Sequence, residues 1–185
     1  GTENNFLLHT WSLSVEWQFY IAYPLVLIFI NRLFGFSAAK YSVLVVTIFG
    51  FLFSLYTSLN DQTSAYFLLQ SRVWELSIGG VAYLFPLKIR DYNRKRLINW
   101  LGLLLIMLTY FVVSEADFWP GYMSILPVLG AYLVICMKVD DSLVTNNKVM
   151  ALIGKSSYSI YLWHWPIFCF LHQIEPDFIE VIGIS

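Results

Sequence analysis

Charge is what this sequence has least of. Its 185 residues include 11 Lys and Arg and 12 Asp and Glu, so 12% of the chain is charged, against roughly 25% in soluble domains. That leaves too little polar surface to cover a water-soluble globule. A net charge of −1, with no basic patch set among aromatics, excludes a nucleic-acid partner. Cysteine is scarce as well. Cys136 and Cys169 sit in apolar runs without ligand spacing, so neither a disulfide framework nor a metal site is expected. The sequence also lacks a Gly-rich phosphate loop, an H-E-x-x-H pair, a G-x-S-x-G elbow and any internal repeat. No tightly bound cofactor is expected. The first residues, Gly1-Thr2-Glu3-Asn4-Asn5, have no basic region ahead of an apolar one and do not form a signal peptide. With no starting Met, and with residues 178–185 reading as a further membrane segment just beginning, the chain is expected to be an internal piece of a longer protein.

What the sequence has in abundance is apolar bulk: 58% hydrophobic and 18% aromatic residues, with a mean hydropathy of +0.66. A membrane crossing needs about 20 predominantly apolar residues. Six stretches qualify: 14–34, 41–59, 67–87, 97–114, 121–137 and 157–173. Short connections separate them, and period-2 alternation is absent. The expectation is therefore all-α: a polytopic membrane helix bundle with about six transmembrane helices plus the start of a further one, forming part of a single domain over 1–185. The basic residues fix the orientation. Arg32, Lys40, Lys88, Arg90, Arg94, Lys95, Arg96, Lys138, Lys148 and Lys155 all fall in alternate connections, which makes those cytoplasmic. Glu3, Asp61, Glu115, Asp117, Glu175 and Asp177 fall on the other side.

Three polar motifs interrupt this apolar background. Residues 9–20 read His-Thr-Trp-Ser-Leu-Ser-Val-Glu-Trp-Gln-Phe-Tyr. At 100° per residue, His9, Ser12, Glu16, Tyr20 and Tyr23 share one helix face, and Gln18 points away from it. Titratable groups held at a membrane edge mark the wall of an active site or a translocation path. Arg72 is the sole basic residue on the outer half, in Ser71-Arg72-Val73-Trp74-Glu75-Leu76-Ser77-Ile78-Gly79-Gly80. Arg72 and Glu75 are spaced to meet on one face, either as a self-neutralising ion pair or as a guanidinium fork for an anion or an acyl oxygen. Gly79 continues that face and is expected to admit a close neighbour. The last motif, Ser156-Ser157-Tyr158-Ser159-Ile160-Tyr161-Leu162-Trp163-His164-Trp165-Pro166, aligns Ser157, Tyr161, His164 and His172. His164 is either functional or a structural imidazole bonded to a Tyr or a backbone carbonyl, and Pro166 should kink its helix unless neighbours satisfy the freed carbonyl.

In order and wording, these three segments resemble the bacterial acyltransferase family 3, integral-membrane enzymes that modify cell-surface glycans. Residues 9–20 match that family's H-T-W-S-L-S-V-E-[EW]-Q-F-Y signature, with Trp17 where many members carry a second Glu. Residues 71–80 resemble its R-x-W-E-L-x-x-G segment, and 154–166 its G-x-x-S-Y-x-[IL]-Y-L-W-H-W-P segment. The resemblance implies a multi-pass protein of the bacterial cytoplasmic (inner) membrane, with membrane lipid around it. It would move an acyl group, usually acetyl, from acyl-CoA to a hydroxyl of a cell-surface polysaccharide or lipopolysaccharide. It also implies helices upstream of Gly1 that carry a catalytic His, so that this piece alone is inactive. Acyl transfer needs a base on the acceptor and donors for the oxyanion. The expected catalytic residues are Glu16, which would orient the imidazole, His9 as a second base, Arg72 and Glu75. Ser12, Tyr20, Tyr161 and His164 are expected to contact substrate, with Arg72, Tyr20 or Tyr161 facing the oxyanion. The same intramembrane Glu, Arg and His would also suit a proton-coupled transporter or flippase of a glycan or lipid intermediate, or a scaffold in which they only join helices.

The charge bias yields a direct test of orientation. Single cysteines introduced at 60–70 or 115–120 should react with an impermeant thiol reagent in intact cells, and those at 88–96 should not. Labelling at 88–96 would reverse the orientation.

Overall fold

A computed structural model of the chain describes residues 10–113, 121–139 and 147–174, without the side chains of Thr63, Ser64, His172, Gln173 and Ile174. Everything described is helix, turn or short connection, with no strand among the described residues. The helices are α1 (Trp11–Asn60), α2 (Gln62–Phe67), α3 (Leu69–Leu84), α4 (Tyr92–Val112), α5 (Ile125–Met137) and α6 (Lys148–Ile174), and a 3-10 turn, Tyr122–Ser124, leads into α5. The chain forms two compact units. The larger begins at Val15 and includes α2 to α5; the smaller joins the described residues 10–14 with α6.

In the larger unit α1 is broken once, at Gly35, whose backbone stands at φ 82°, ψ 172°. That region is open essentially to glycine alone. The connection expected around Arg32 and Lys40 contracts to this one residue, and the expected segments 14–34 and 41–59 lie on either side of it. The two halves fold back on each other. Phe19, Tyr23 and Val26 from the first half and Val43 and Val46 from the second line one apolar cavity of about 190 Å³, which Leu69 and Val73 of α3 complete. At the turn end, Lys40 lies over the Phe85 ring at 4.3 Å.

α3 has 16 residues, or about 24 Å of helix at 1.5 Å per residue. This is shorter than the expected segment 67–87, because α2 and the extended residues after Leu84 claim its ends. α3 is held by small side chains. Trp74 packs where Gly50 of α1 leaves room, and a Cβ on Gly50 would come within 2.8 Å of Val73. Thr47 and Ser77 share a buried hydroxyl–hydroxyl bond of 2.8 Å between α1 and α3. α4 starts at Asp91, whose carboxylate accepts the Asn93 N–H at 3.0 Å. α4 then packs antiparallel on α5 at two facing glycines: a Cβ on Gly102 would stand 2.7 Å from the Gly130 carbonyl oxygen, and one on Gly130 would stand 2.6 Å from that of Gly102. In the smaller unit α6 starts at Asn147, which accepts the Val149 N–H at 2.9 Å, and runs on through Pro166 as one helix.

The burial pattern is the inverse of a soluble core. Beside apolar residues such as Phe19, Val43, Trp74 and Met137, the interior holds Ser54, Ser58, Ser71, Ser77, Ser124, Thr47 and Asn99, while Leu25, Phe29, Phe34, Leu104 and Phe111 point outward. Small and hydroxyl residues inside with large apolar ones outside is the arrangement of helices packed in lipid. α1 and α4 have the length and apolarity to cross a membrane, and the stretch Tyr122–Met137 is a shorter apolar helix. Cys136 and Cys169 are buried thiols.

Gly→Ala substitution separates contact from propensity. In an open helix, alanine gains about 1 kcal/mol over glycine, whereas overpacking costs about 1–3 kcal/mol. Gly102→Ala and Gly130→Ala should therefore lower the melting temperature of the detergent-solubilised protein. Gly79→Ala, where nothing stands within 4 Å of the added Cβ, should hold or raise it. Equal melting temperatures for all three would remove the α4–α5 contact as the cause.

Candidate functional site

In the larger unit the first two turns of α3 carry two opposite charges, Arg72 and Glu75. Ser71 is fully buried, and its hydroxyl donates to the Ala65 carbonyl of α2 and to that of Leu68 at 2.7 Å. These bonds fix the first turn of α3 and so the direction in which Arg72 leaves it. The Arg72 guanidinium lies over the Tyr66 ring, 5.0 Å from its centroid, a cation–π contact that holds the fork without neutralising it. One turn on, Glu75 is half-buried and feels the attraction of Arg72, with the Ser124 hydroxyl, from the turn before α5, beside its carboxyl. Oε1 of Glu75 and the indole N–H of Trp74 are both buried without a hydrogen-bond partner. Such polar atoms are expensive in a packed interior and cluster where a site is built to receive something.

The first half of α1 lies beside α3. The Tyr23 hydroxyl meets Gly80, and one turn further Leu27 and Ile28 line a small cavity with Leu84. Glu16 is half-buried beside Val15 and Phe19, which are both buried. Phe19 stacks on Tyr23 with ring centroids 4.8 Å apart. Tyr20 turns outward and is 59% exposed. One expectation is corrected here. The close approach on α3 is at Gly80, not Gly79: a Cβ on Gly80 would strike Tyr23 and Val43, whereas one on Gly79 meets nothing. The two residues point about 100° apart, so an error of one position turns the contact away.

The smaller unit brings together Ser12, Tyr161 and His164. The Ser12 and Tyr161 hydroxyls are hydrogen-bonded to each other. His164 Nδ1 bonds the Tyr161 carbonyl one turn back on its own helix, and the two rings lie 5.3 Å apart. A carbonyl only accepts, so Nδ1 carries the proton there and Nε2 is the basic nitrogen of the neutral ring. This is the backbone-bonded imidazole that the sequence left open as one reading of His164. His9, the remaining expected site residue, lies outside the described residues. Among the described residues no cluster of three His, Cys, Asp or Glu could hold a metal. Sequence reasoning passed over Ser124 and Tyr66. Ser124 follows the Pro120-Gly121 turn by three residues, and Tyr66 precedes Arg72 by six; both reach the charged pair only through tertiary packing.

The model of a family described as the acyltransferase domain matches residues 1–182. The O-acetyltransferase OatA of Staphylococcus aureus strain NCTC 8325 is 29% identical over 199 residues, covering 96% of this chain and 33% of that protein. A Staphylococcus aureus strain COL protein, provisionally named an O-acetyltransferase, is 26% identical over 188 residues, covering 92% of this chain and 31% of that protein. The chain thus spans about a third of the length of the curated relatives it matches. No solved structure matches it.

The Arg72–Glu75 attraction predicts an asymmetric mutant cycle. Removing one partner of a poorly solvated pair leaves the other uncompensated, a cost on the order of 2–3 kcal/mol when Arg72 is only half-buried. Arg72→Gln should therefore lower the melting temperature more than the double variant Arg72→Gln/Glu75→Gln does. Additive losses in the double variant would show that the two charges do not act on each other.

Proposed function

We propose a function for this chain on one premise: it belongs to acyltransferase family 3. It is part of an O-acetyltransferase of the bacterial cytoplasmic membrane, crossing that membrane about six times. The reaction moves an acetyl group from acyl-CoA on the cytosolic side to a hydroxyl of a cell-surface polysaccharide or lipopolysaccharide. The observation that carries this reading is the family match across residues 1–182. The relatives named O-acetyltransferases and the inverted burial pattern support it.

The chemistry assigns work to the chain's own groups. The acceptor hydroxyl attacks the thioester carbonyl and gives its proton to a base; the carbonyl oxygen becomes an oxyanion; the carbon–sulfur bond then breaks, and the coenzyme leaves as its thiol. A planar guanidinium held over an aromatic ring, as Arg72 is, offers two parallel N–H groups to an oxyanion or acyl oxygen. Glu75 beside it restrains the guanidinium. Glu16 orients an imidazole base and stabilises its protonated form, as a carboxylate does in a catalytic triad. His9 and an imidazole from the rest of the full-length protein are the candidate bases. Ser12, Tyr161 and His164 form a polar group of their own that suits a hydroxyl-rich acceptor.

Mass spectrometry of surface glycans from cells with and without the full-length gene tests the reading; identical acetylation would overturn it. In the full-length protein, Glu16→Gln should lower acetyl incorporation 10²-fold or more, a loss of several kcal/mol, because the isosteric amide keeps shape and removes charge. A purely helix-joining Glu16 would lose only about 1 kcal/mol. Arg72→Lys should also impair the reaction, since it keeps the charge and loses the fork. Wild-type incorporation by Glu16→Gln, normalised to inserted protein, would return Glu16 to a packing role.

A further inference from the structure

We infer that Ser124 is a positioning residue for Glu75: its hydroxyl swings between the Gly121 carbonyl and the Glu75 carboxyl, and so holds that carboxyl toward Arg72. The inference rests on the reading of Arg72 and Glu75 as part of the acyl-transfer machinery.

Three observations converge on this hydroxyl. Ser124 is 1% exposed, so water does not compete for it. Its proton goes to the Gly121 carbonyl at 2.8 Å, while Oε1 of Glu75, the carboxyl it neighbours, is buried without a partner. Ser124 also occupies the N-cap position of α5 but makes no side-chain capping bond there. A serine in that position ordinarily earns its place by capping the helix; this one is turned elsewhere.

A hydroxyl has one proton and two lone pairs, which gives two arrangements with every proton accounted for. When Glu75 is ionised, the Ser124 O–H rotates from the Gly121 carbonyl and donates to the carboxylate. When Glu75 carries a proton, it donates to Ser124 Oγ, and the serine proton remains on Gly121. In both states the carboxyl is tied to the turn before α5, so that it cannot rotate away from the guanidinium on its own helix. Only a bond rotation is needed between the two, with no movement of α3 or α5.

The test uses the full-length protein in membranes, with Ser124→Ala, Ser124→Thr and Ser124→Cys made in the wild-type and Glu75→Gln backgrounds. The first readout is independent of acyl transfer. Dicyclohexylcarbodiimide is an apolar reagent that modifies carboxyls in their protonated form, and its adduct on the peptide carrying Glu75 is measured by mass spectrometry, with Glu75→Gln as the blank. Losing the donor to the carboxylate should raise the labelling rate of Ser124→Ala several-fold, while Ser124→Thr labels as wild type and Ser124→Cys falls between. The second readout is acetyl transfer. Ser124→Ala should lower kcat about tenfold with KM unchanged, Ser124→Thr should stay within about twofold of wild type, and Ser124→Ala should cost nothing further in the Glu75→Gln background. Wild-type labelling of Ser124→Ala, or a full additional loss on top of Glu75→Gln, would overturn the inference. Altered labelling in a protein that transfers no acetyl group would leave Ser124 beside Glu75 and bring down the acyl-transfer reading instead. If Ser124→Ala does not insert, the comparison of Ser124→Thr with Ser124→Cys decides: equal labelling rates would overturn the inference.

Discussion

Every polar group inside this bundle must find its partner within the bundle, and α3 is where that requirement bears hardest. It is 16 residues long and carries an arginine, a glutamate, a tryptophan and two serines that are fully buried. Ser71 answers by donating to backbone carbonyls at its own start, and Ser77 by sharing a bond with Thr47 of α1. Neither bond is strong alone, since interhelical hydroxyl bonds in such surroundings are worth about 0.6–2 kcal/mol. Their value is geometric. They fix the rotation of α3 about its axis, and rotation decides whether Arg72 and Glu75 face inward or outward.

Close packing at glycine does the rest. Gly50 and Gly80 let Trp74 and Tyr23 approach α1 and α3 more closely than any side chain would allow, and Gly102 and Gly130 do the same for α4 and α5. Large residues are left to the outside, where Phe29, Phe34 and Phe111 stand. The driving force differs from that of a soluble core. With apolar groups on both sides of the boundary, contact area and hydrogen bonding select the arrangement. This is why a single methyl group matters at Gly102, and why none of the large exposed aromatics is as sensitive.

Much of this was legible from residues alone. The apolar composition and the absence of period-2 alternation pointed to helices, and the described residues hold helices and no strand. Other features needed the fold. Nothing in the stretch around Gly35 distinguishes a loop from a single broken residue, because Arg32 and Lys40 favour helix and solvent equally. The length of α3 was overread because Phe67, Phe85 and Leu87 are apolar but stand outside the helix. Gly79 and Gly80 are neighbours in sequence, and only the position of Tyr23 tells which of them is the contact. Ser124 lies 49 residues after Glu75, and hydroxyl residues next to Pro-Gly turns are read as caps by default. Tyr20 shares the face of Glu16 on a helical wheel yet is exposed, since a wheel gives angles and says nothing about where the neighbouring helix ends.

The remaining step concerns why a bundle so economical with charge keeps Arg72 and Glu75 at all. A buried ion pair is weak support for stability, since apolar residues of similar volume often do as well. Here the guanidinium lies over the Tyr66 ring, and Oε1 of Glu75 is buried without a hydrogen-bond partner. An aromatic face holds an arginine's guanidinium in one plane, and Glu75 one turn on feels its charge. In surroundings of low dielectric such a fork acts on an incoming negative oxygen with several times the strength it would have in water. The hydroxyl bonds of Ser71 and Ser77 set the rotation of α3, and with it the direction in which Arg72 and Glu75 leave the helix.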